Sequence, residues 1–202
     1  MNLVGAAGLG VGLGEVTGMP LGVANVAIVD AAAAGRRRFA VGVGVGSAIA
    51  DTVHASLAFV GVGRLVTAHP ALVRVLAIAA AIVIVGYAVT AWRRRPVERV
   101  PSDVSSGVRG GMTGLALTLP TPGALLAWVA VASSLWSDAT PGEALALGIG
   151  VGVGSAAWFA ALATWVSRVR PDHPAVRYVP RLALVALVAI AAIGIIKIVV
   201  RA

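Results

Sequence analysis

A short polar stretch inside an apolar segment carries the side chains best suited to chemistry in this chain. Ser47, Asp51 and His54 are spaced so that they share one face of a helix. A carboxylate and an imidazole on one face can bind a cationic group or exchange a proton. At the centre of a bilayer a carboxylate costs about 2.5–3.5 kcal/mol, so this face is expected to point into the protein interior. The alternative is a buried Asp–His pair that only holds two helices together.

Two proline-containing interruptions lie inside other apolar segments, one in each half of the chain. The first reads Gly18-Met19-Pro20-Leu21-Gly22 and the second reads Pro120-Thr121-Pro122-Gly123. Proline lacks the N–H that continues a helix, so each segment is expected to break there and leave backbone groups free. The half-helix after a break begins with a partial positive charge that suits a carboxylate. The alternative is that the prolines only kink the helices.

Together these features predict a substrate and proton site between the two breaks. Glu15 lies about one turn before the first break and Asn25 about one turn beyond it. The predicted substrate-binding residues are Pro20, Gly22, Asn25, Asp51, Pro120, Thr121 and Pro122. The predicted proton-coupling residues are Asp51, Glu15 and His54. Asp30 is instead expected to pair with the arginines that follow it, Arg36, Arg37 and Arg38.

The composition is that of a membrane protein. Hydrophobic residues make up 59% of the 202 residues and charged residues 12%, about half the usual share in a soluble domain. The net charge of +8 comes from arginines between apolar runs, which argues against a nucleic-acid partner. The sequence contains no cysteine, so thiolate metal sites and thiol redox chemistry are excluded. It offers no metal-ligand motif and no nucleophile–base pair, so we expect no cofactor, no metal and no enzymatic activity.

Six apolar segments are long enough to cross the hydrocarbon core, which takes about 20 helical residues. They are Leu3–Ala34, Phe39–Gly63, Ala71–Trp92, Gly111–Trp136, Ala144–Val166 and Leu182–Val200. Their Gly-Val runs alternate small with large apolar residues, whereas a barrel strand alternates apolar with polar ones. Closely packed helices explain such runs better. The predicted fold class is therefore an all-α integral membrane protein with six transmembrane helices.

The heptapeptide GVGVGSA occurs twice, at Gly42–Ala48 and at Gly150–Ala156, in the second and the fifth segment. Three crossings separate the copies, so the two copies are expected to run in opposite directions. Most arginines lie in the loops after segments one, three and five, which predicts cytoplasmic loops there and both termini outside. The chain then divides into a three-helix repeat at 1–92, a cytoplasmic linker at 93–106 and an inverted three-helix repeat at 107–202.

Several of these motifs together match a known pattern. They are Pro20-Leu21-Gly22-Val23, the Gly35-Arg36-Arg37-Arg38 loop, the Gly-rich start of the second segment with its Asp51, and the stretch from Gly114 to Gly123. In these motifs the chain resembles the lysine exporter (LysE) family, which includes the homoserine/threonine-resistance exporters. It departs from the family's Pro-Gly-Pro-Asn-like motif at Gly22 and Val23, and Thr121 stands where Asn is usual. The resemblance implies six spans in two inverted repeats and proton- or potential-driven efflux of amino acids or related small solutes.

The leading hypothesis is a secondary exporter of amino acids or related small solutes that works by alternating access. Its expected location is the inner (plasma) membrane, with the lipid bilayer and a small amino-acid-like substrate as partners. The Gly-rich helix faces are also compatible with a homodimer. Two alternatives stay open: a cation or metal-ion exporter of the same superfamily, with Glu15, Asp51 and His54 as its ion site, and a non-transporting membrane scaffold.

Overall fold

Helices make up the described part of the chain, with no strand in it. The computed structural model describes residues 2–19, 22–61, 68–93, 104–135 and 139–169, and the single positions 178, 182, 185, 188, 189 and 192. The helices are α1 Leu3–Gly18, α2 Val23–Ala33, α3 Arg37–Phe59, α4 Pro70–Arg93, α5 Val104–Thr118, α6 Pro122–Leu135 and α7 Pro141–Ser167. The all-α prediction is confirmed for these residues. Pro20 and most of the predicted sixth segment lie outside them.

Three of the helices, α3, α4 and α7, are long and apolar enough to cross a membrane. Two further candidates are bent pairs: α1 and α2 meet at 68°, and α5 and α6 meet at 70°. Counting each bent pair as one span gives up to five spans among the described residues. Both bends fall at the predicted interruptions, so the prediction that the first and fourth segments are broken is confirmed.

Local signals fix where several helices begin. At the start of α7, Thr140 and Glu143 form a reciprocal capping box, and Pro141 follows the cap because its missing N–H is not needed there. At the start of α1, the Gly5 amide donates to Asn2 Oδ1 over 2.8 Å. Between α2 and α3, Gly35 has a φ of 78°, a left-handed conformation that favours glycine and lets the chain reverse within a few residues.

Glycine brings two pairs of helices, α1 with α7 and α3 with α5, into backbone contact. A Cβ placed at Gly10 or Gly14 would overlap the carbonyl oxygen of Leu147 or Val151. A Cβ at Gly42 or Gly46 would likewise overlap the carbonyl oxygen of Gly107 or Gly111. Residue numbers rise together along each pair, so the partners run parallel. Such close approach is the usual basis of helix association in membranes, because lipid offers no hydrophobic driving force between apolar helices.

The two glycine-packed pairs correspond to one another position by position. Gly10 and Gly14 of α1 match Gly110 and Gly114 of α5, which lie 100 positions later and also pack on carbonyl groups. The carbonyls they meet belong to Leu147 and Val151 on α7 and to Phe39 and Val43 on α3, which are 108 positions apart. Each helix with a GVGVGSA copy therefore packs on the first helix of the other half of the chain.

The two GVGVGSA helices, α3 and α7, also cross each other. A Cβ added at Gly148 or Gly152 of α7 would meet Ser56 or Thr52 of α3, and one at Gly44 of α3 would lie 2.6 Å from Phe159 Cβ. Residue numbers fall along α7 as they rise along α3, so these helices run antiparallel. The apolar core forms two clusters at the ends of this crossing, one around Ile28, Val43 and Phe159, the other around Phe59, Trp128 and Leu147.

A polar contact ties α4 to the end of α2. The buried Asp30 carboxylate accepts hydrogen bonds from Tyr87 Oη, 3.0 Å away, and from Arg36, 3.2 Å away. The Arg36 guanidinium also stacks over the Phe39 ring at 4.8 Å. The prediction that Asp30 pairs with the arginines that follow it is confirmed for Arg36.

Candidate functional site

A layer of polar side chains lies between the two apolar clusters, where α3 is packed between α5 and α7. Ser47 and Ser155 are fully buried, His54 is 4% exposed and Asp51 is half-buried. The predicted face of α3 therefore does point into the protein. Its members have different neighbours: Ser47 and His54 meet α5, and Asp51 meets α7.

His54 holds the break between α5 and α6. Its Nε2 lies 3.0 Å from the carbonyl oxygen of Leu119, just beyond the last residue of α5. A carbonyl only accepts, so Nε2 carries the hydrogen and Nδ1 is left with its lone pair. His54 Nδ1 is buried, and it has no hydrogen-bond partner among the described residues. The imidazole thus supplies a donor that the broken helix lacks and keeps one nitrogen open for a proton.

Ser47 contacts the last turn of α5, just before the same break. Its hydroxyl donates to the Gly114 carbonyl over 3.3 Å, and Thr118 Oγ1 donates to Ser47 Oγ over 3.0 Å. All three groups are buried, so these bonds are made away from water. With His54, Ser47 fixes the last turn of α5 to α3.

The first break is held differently. Asn25, on α2, donates from Nδ2 to the carbonyl oxygen of Gly18, the last residue of α1, over 2.7 Å. Trp158 of α7 donates from Nε1 to Asn25 Oδ1 over 3.2 Å, and its ring lies 3.2 Å from where a Gly18 Cβ would be. Asn25 was predicted as a substrate ligand. In the structure it closes the break, and Trp158 holds it in place.

Asp51 lies at the α3–α7 crossing, on the side of α3 beside Ser155 of α7. Ser155 Oγ also lies 3.4 Å from the Gly14 carbonyl, one turn before the end of α1. This contact is the counterpart of Ser47 with Gly114, since the serines are 108 and the glycines 100 positions apart. Of the two serines, Ser155 is the one that meets a carboxylate.

The remaining predicted residues occupy varied positions. Gly22 is the extended N-cap residue of α2, with φ −108° and ψ 178°, and α6 begins at Pro122, where a proline is readily accommodated. Pro120 lies in the turn before it, and Thr121 Oγ1 donates to the Leu117 carbonyl of its own segment over 3.0 Å. Glu15 is exposed on α1, and among the described residues no hydrogen bond or ion pair joins it to Asp51.

Sequence reasoning did not select Ser155 or Trp158 for the site. Ser155 could have been found, because it occupies the Ser47 position of the second GVGVGSA copy. Trp158 carried a weaker signal: it lies away from the segment ends, where interfacial tryptophans are expected. Both residues contact groups more than a hundred positions away, and only packing reveals such contacts.

Two proline-associated breaks, held by polar groups of buried helices, are an arrangement of transport proteins. A family model described as "LysE type translocator" matches residues 16–197. The chain belongs to the LysE type translocator family. The suspected membership is thus confirmed, and the match covers most of the chain. Comparisons with curated proteins and with solved structures gave no match.

As a member of this family, the translocator is a multi-pass membrane transport protein, and its apolar helices contact the lipid bilayer. Within the described residues, no group of three or more His, Cys, Asp or Glu side chains could hold a metal ion. The polar layer itself offers hydrogen bonding, ion pairing and proton exchange at Asp51 and His54.

Proposed function

We propose that this translocator is a secondary exporter of amino acids or related small solutes that works by alternating access. One observation carries the proposal. Asp51 meets Ser155 at the crossing of α3 and α7, and these same two helices hold the two breaks through His54 and Trp158. A change in the charge of Asp51 can therefore alter the packing of the two helices that hold both breaks. Family membership supports solute export in general.

The proposed architecture is six spans in two inverted three-helix repeats, with both termini outside and the protein in the inner membrane. The matched glycine contacts of the two halves support it, since they recur at constant offsets. The antiparallel crossing of α3 and α7 supports it further, because these helices carry the repeated heptapeptide. The arginine-rich loops favour the stated orientation.

An amino acid presents a carboxylate and an ammonium group, and the site offers a counterpart for each. We assign the carboxylate to the N-terminal ends of α2 and α6, beside Gly22 and Pro122, where the helix dipole is positive. We assign the ammonium group to Asp51. Asn25, Pro120 and Thr121 then shape the breaks around the solute.

Proton coupling follows from the single hydrogen of the Ser155 hydroxyl. We propose that an ionised Asp51 draws the Ser155 hydrogen to its carboxylate, away from the Gly14 carbonyl. When Asp51 is protonated, it donates to Ser155, and Ser155 is free to donate to the Gly14 carbonyl, 3.4 Å away. Gly14 lies one turn before the first break, so the protonation of Asp51 changes a bond of the broken helix. His54 Nδ1 is the second proposed proton acceptor.

Transport by purified protein in liposomes tests the assignment to Asp51. We expect Asp51→Asn to abolish solute movement driven by a pH gradient, because the side chain can no longer change charge. Glu15→Gln is the comparison variant, since Glu15 is the other carboxylate predicted to couple protons and lies on the exposed face of α1. If Asp51→Asn transports normally over the full pH range, Asp51 is not the coupling residue.

Accessibility tests the alternating-access part of the proposal. The chain contains no cysteine, so single cysteines at Gly22, Asp51 and Thr121 can be labelled from either side of the membrane. We expect labelling to depend on the side of addition and to change when the solute is present. Labelling that depends on neither excludes alternating access. Solute-independent export of a metal ion would instead support the cation exporter.

A further inference from the structure

An open apolar groove runs along the outer side of the α3–α5 pair. Its volume is about 960 Å³. Its floor is formed by Gly42 and Gly46 of α3 and by Gly107 and Gly111 of α5. Because these glycines place backbone against backbone, the floor is shallow and smooth. The exposed side chains of Val45, Ile49, Val108 and Met112 form the walls, and we call this feature the α3–α5 groove.

The length of the groove matches one leaflet of a bilayer. It extends along α3 from Arg38 to Ile49, which is roughly 17 Å at 1.5 Å per residue. Half of a typical hydrocarbon core is roughly 15 Å. One acyl chain of a phospholipid can therefore lie along the floor for its whole length.

The groove is positively charged at one end only. Arg37 and Arg38 are exposed and line it at the start of α3, where the Arg37 guanidinium also donates to Thr164 Oγ1 of α7 over 3.5 Å. An interfacial pair of guanidinium groups above an apolar trough is complementary to a phosphate above an acyl chain.

The equivalent positions in the other half of the chain lack this charge. At the constant offsets between the halves, Leu145 and Ala146 of α7 take the places of Arg37 and Arg38. Glu15 of α1 takes the place of Leu115. An anionic lipid bound there would have no arginine pair to contact and would lie near the negative charge of Glu15. The α1–α7 pair therefore repeats the glycine contacts of the α3–α5 pair without its two arginines.

The sixth segment is placed elsewhere at its described positions. Val185 and Val188 face Val89 and Trp92 of α4, where they line a different groove of about 590 Å³. We propose that the α3–α5 groove binds an anionic phospholipid, with one acyl chain on its glycine floor and the phosphate at Arg37 and Arg38. Assignment to the cytoplasmic leaflet rests on the proposed orientation, whereas the lipid site itself does not.

Native mass spectrometry of the full-length protein in detergent tests the site, with phosphatidylglycerol and phosphatidylcholine as probes. We expect wild type to bind phosphatidylglycerol preferentially and the Arg37→Gln/Arg38→Gln double variant to lose roughly 10- to 30-fold in its affinity. The control is Arg74→Gln/Arg168→Gln, which has the same net charge and removes two exposed arginines that line neither groove. Equal losses in both double variants would show general charge attraction and overturn the site.

A second pair of variants tests the apolar wall of the α3–α5 groove. Val45→Trp fills the groove from its wall, whereas Val153→Trp changes the corresponding exposed position of α7. We expect only Val45→Trp to weaken phosphatidylglycerol binding. If Val45→Trp instead converts a dimer to a monomer, the groove is an interface between copies of the chain and the lipid proposal is wrong.

Lipid binding and transport can be tested independently of each other. Asp51→Asn, which we expect to stop transport, should keep the lipid preference unchanged, because Asp51 lies at the α3–α7 crossing rather than in the α3–α5 groove. Loss of lipid binding in Asp51→Asn would overturn the groove assignment. A failure of Asp51→Asn to affect transport would leave the lipid site untouched.

Discussion

His54 Nε2 donates a hydrogen bond to the carbonyl oxygen of Leu119 over 3.0 Å, and the contact joins residues 65 positions apart. It links a helix that carries one GVGVGSA copy to the helix break in the other half of the chain. In the second copy the position of His54 is occupied by Leu162, which has no donor to offer. The two halves therefore share a backbone plan but hold their breaks with different chemistry.

Replacing His54 by leucine tests whether the imidazole holds the second break. His54→Leu removes the donor and leaves the Leu119 carbonyl unsatisfied, which should cost about 1–3 kcal/mol of unfolding free energy. Thermal unfolding in detergent measures the loss, and the exposed His69→Gln is the control. Wild-type stability in His54→Leu would contradict the role.

The pair formed by Asn25 and Trp158 predicts a measurable coupling at the first break. Asn25→Ala frees the Gly18 carbonyl and the indole N–H together, whereas Trp158→Phe removes only the indole donor. The double variant should therefore lose less unfolding free energy than the two single variants lose in sum, by about 0.5–3 kcal/mol. Chemical or thermal unfolding of the four proteins completes the cycle. Strictly additive losses would show that the two residues act independently.

The two equivalent serines should differ in their effect on pH dependence. Ser47→Ala and Ser155→Ala each remove a bond to a glycine carbonyl, but only Ser155 is a partner of Asp51. Loss of that donor disfavours the ionised carboxylate, so the pH profile of transport should move to higher pH in Ser155→Ala alone. Transport rates in liposomes across a pH series measure this. Equal shifts in both variants would remove Ser155 from the coupling scheme.

Neighbouring glycines of α1 provide a test of the close helix contact. A methyl group at Gly14 would overlap the Val151 carbonyl, whereas at Gly12 it meets nothing within 4 Å. Gly14→Ala should therefore destabilise the protein by about 1–3 kcal/mol through overpacking. Gly12→Ala should be neutral or stabilising by up to about 1 kcal/mol, because alanine is the better helix former. Equal unfolding temperatures would argue against the α1–α7 contact.

Much of the scaffold is predictable because it depends on local properties. The apolar runs predict helices, and the prolines and glycines around Pro120 predict the second break, which lies at Leu119–Thr121 between α5 and α6. The spacing of Ser47, Asp51 and His54 predicts an inward face, and in the structure Ser47 and His54 are buried and Asp51 is half-buried. The pairing of Asp30 with Arg36 is also local, since the residues are six positions apart.

The partners of those residues were not predictable in the same way. Periodicity fixes which residues of one helix share a face, but it does not fix the rotation of that helix against its neighbours. Here the rotation is set by glycines that allow backbone contact, such as Gly46 against Gly111. This packing turns Glu15, which the sequence predicts as a proton-coupling residue, to the exposed side of α1.

The sequence by itself determined the membrane class, the helices, their two breaks and the polar face of α3, because each follows from the order of residue types along one segment. The tertiary structure alone decided that His54 meets Leu119, that Trp158 holds Asn25 and that Asp51 meets Ser155. These contacts join distant segments, and their geometry follows from how closely glycine lets the helices approach.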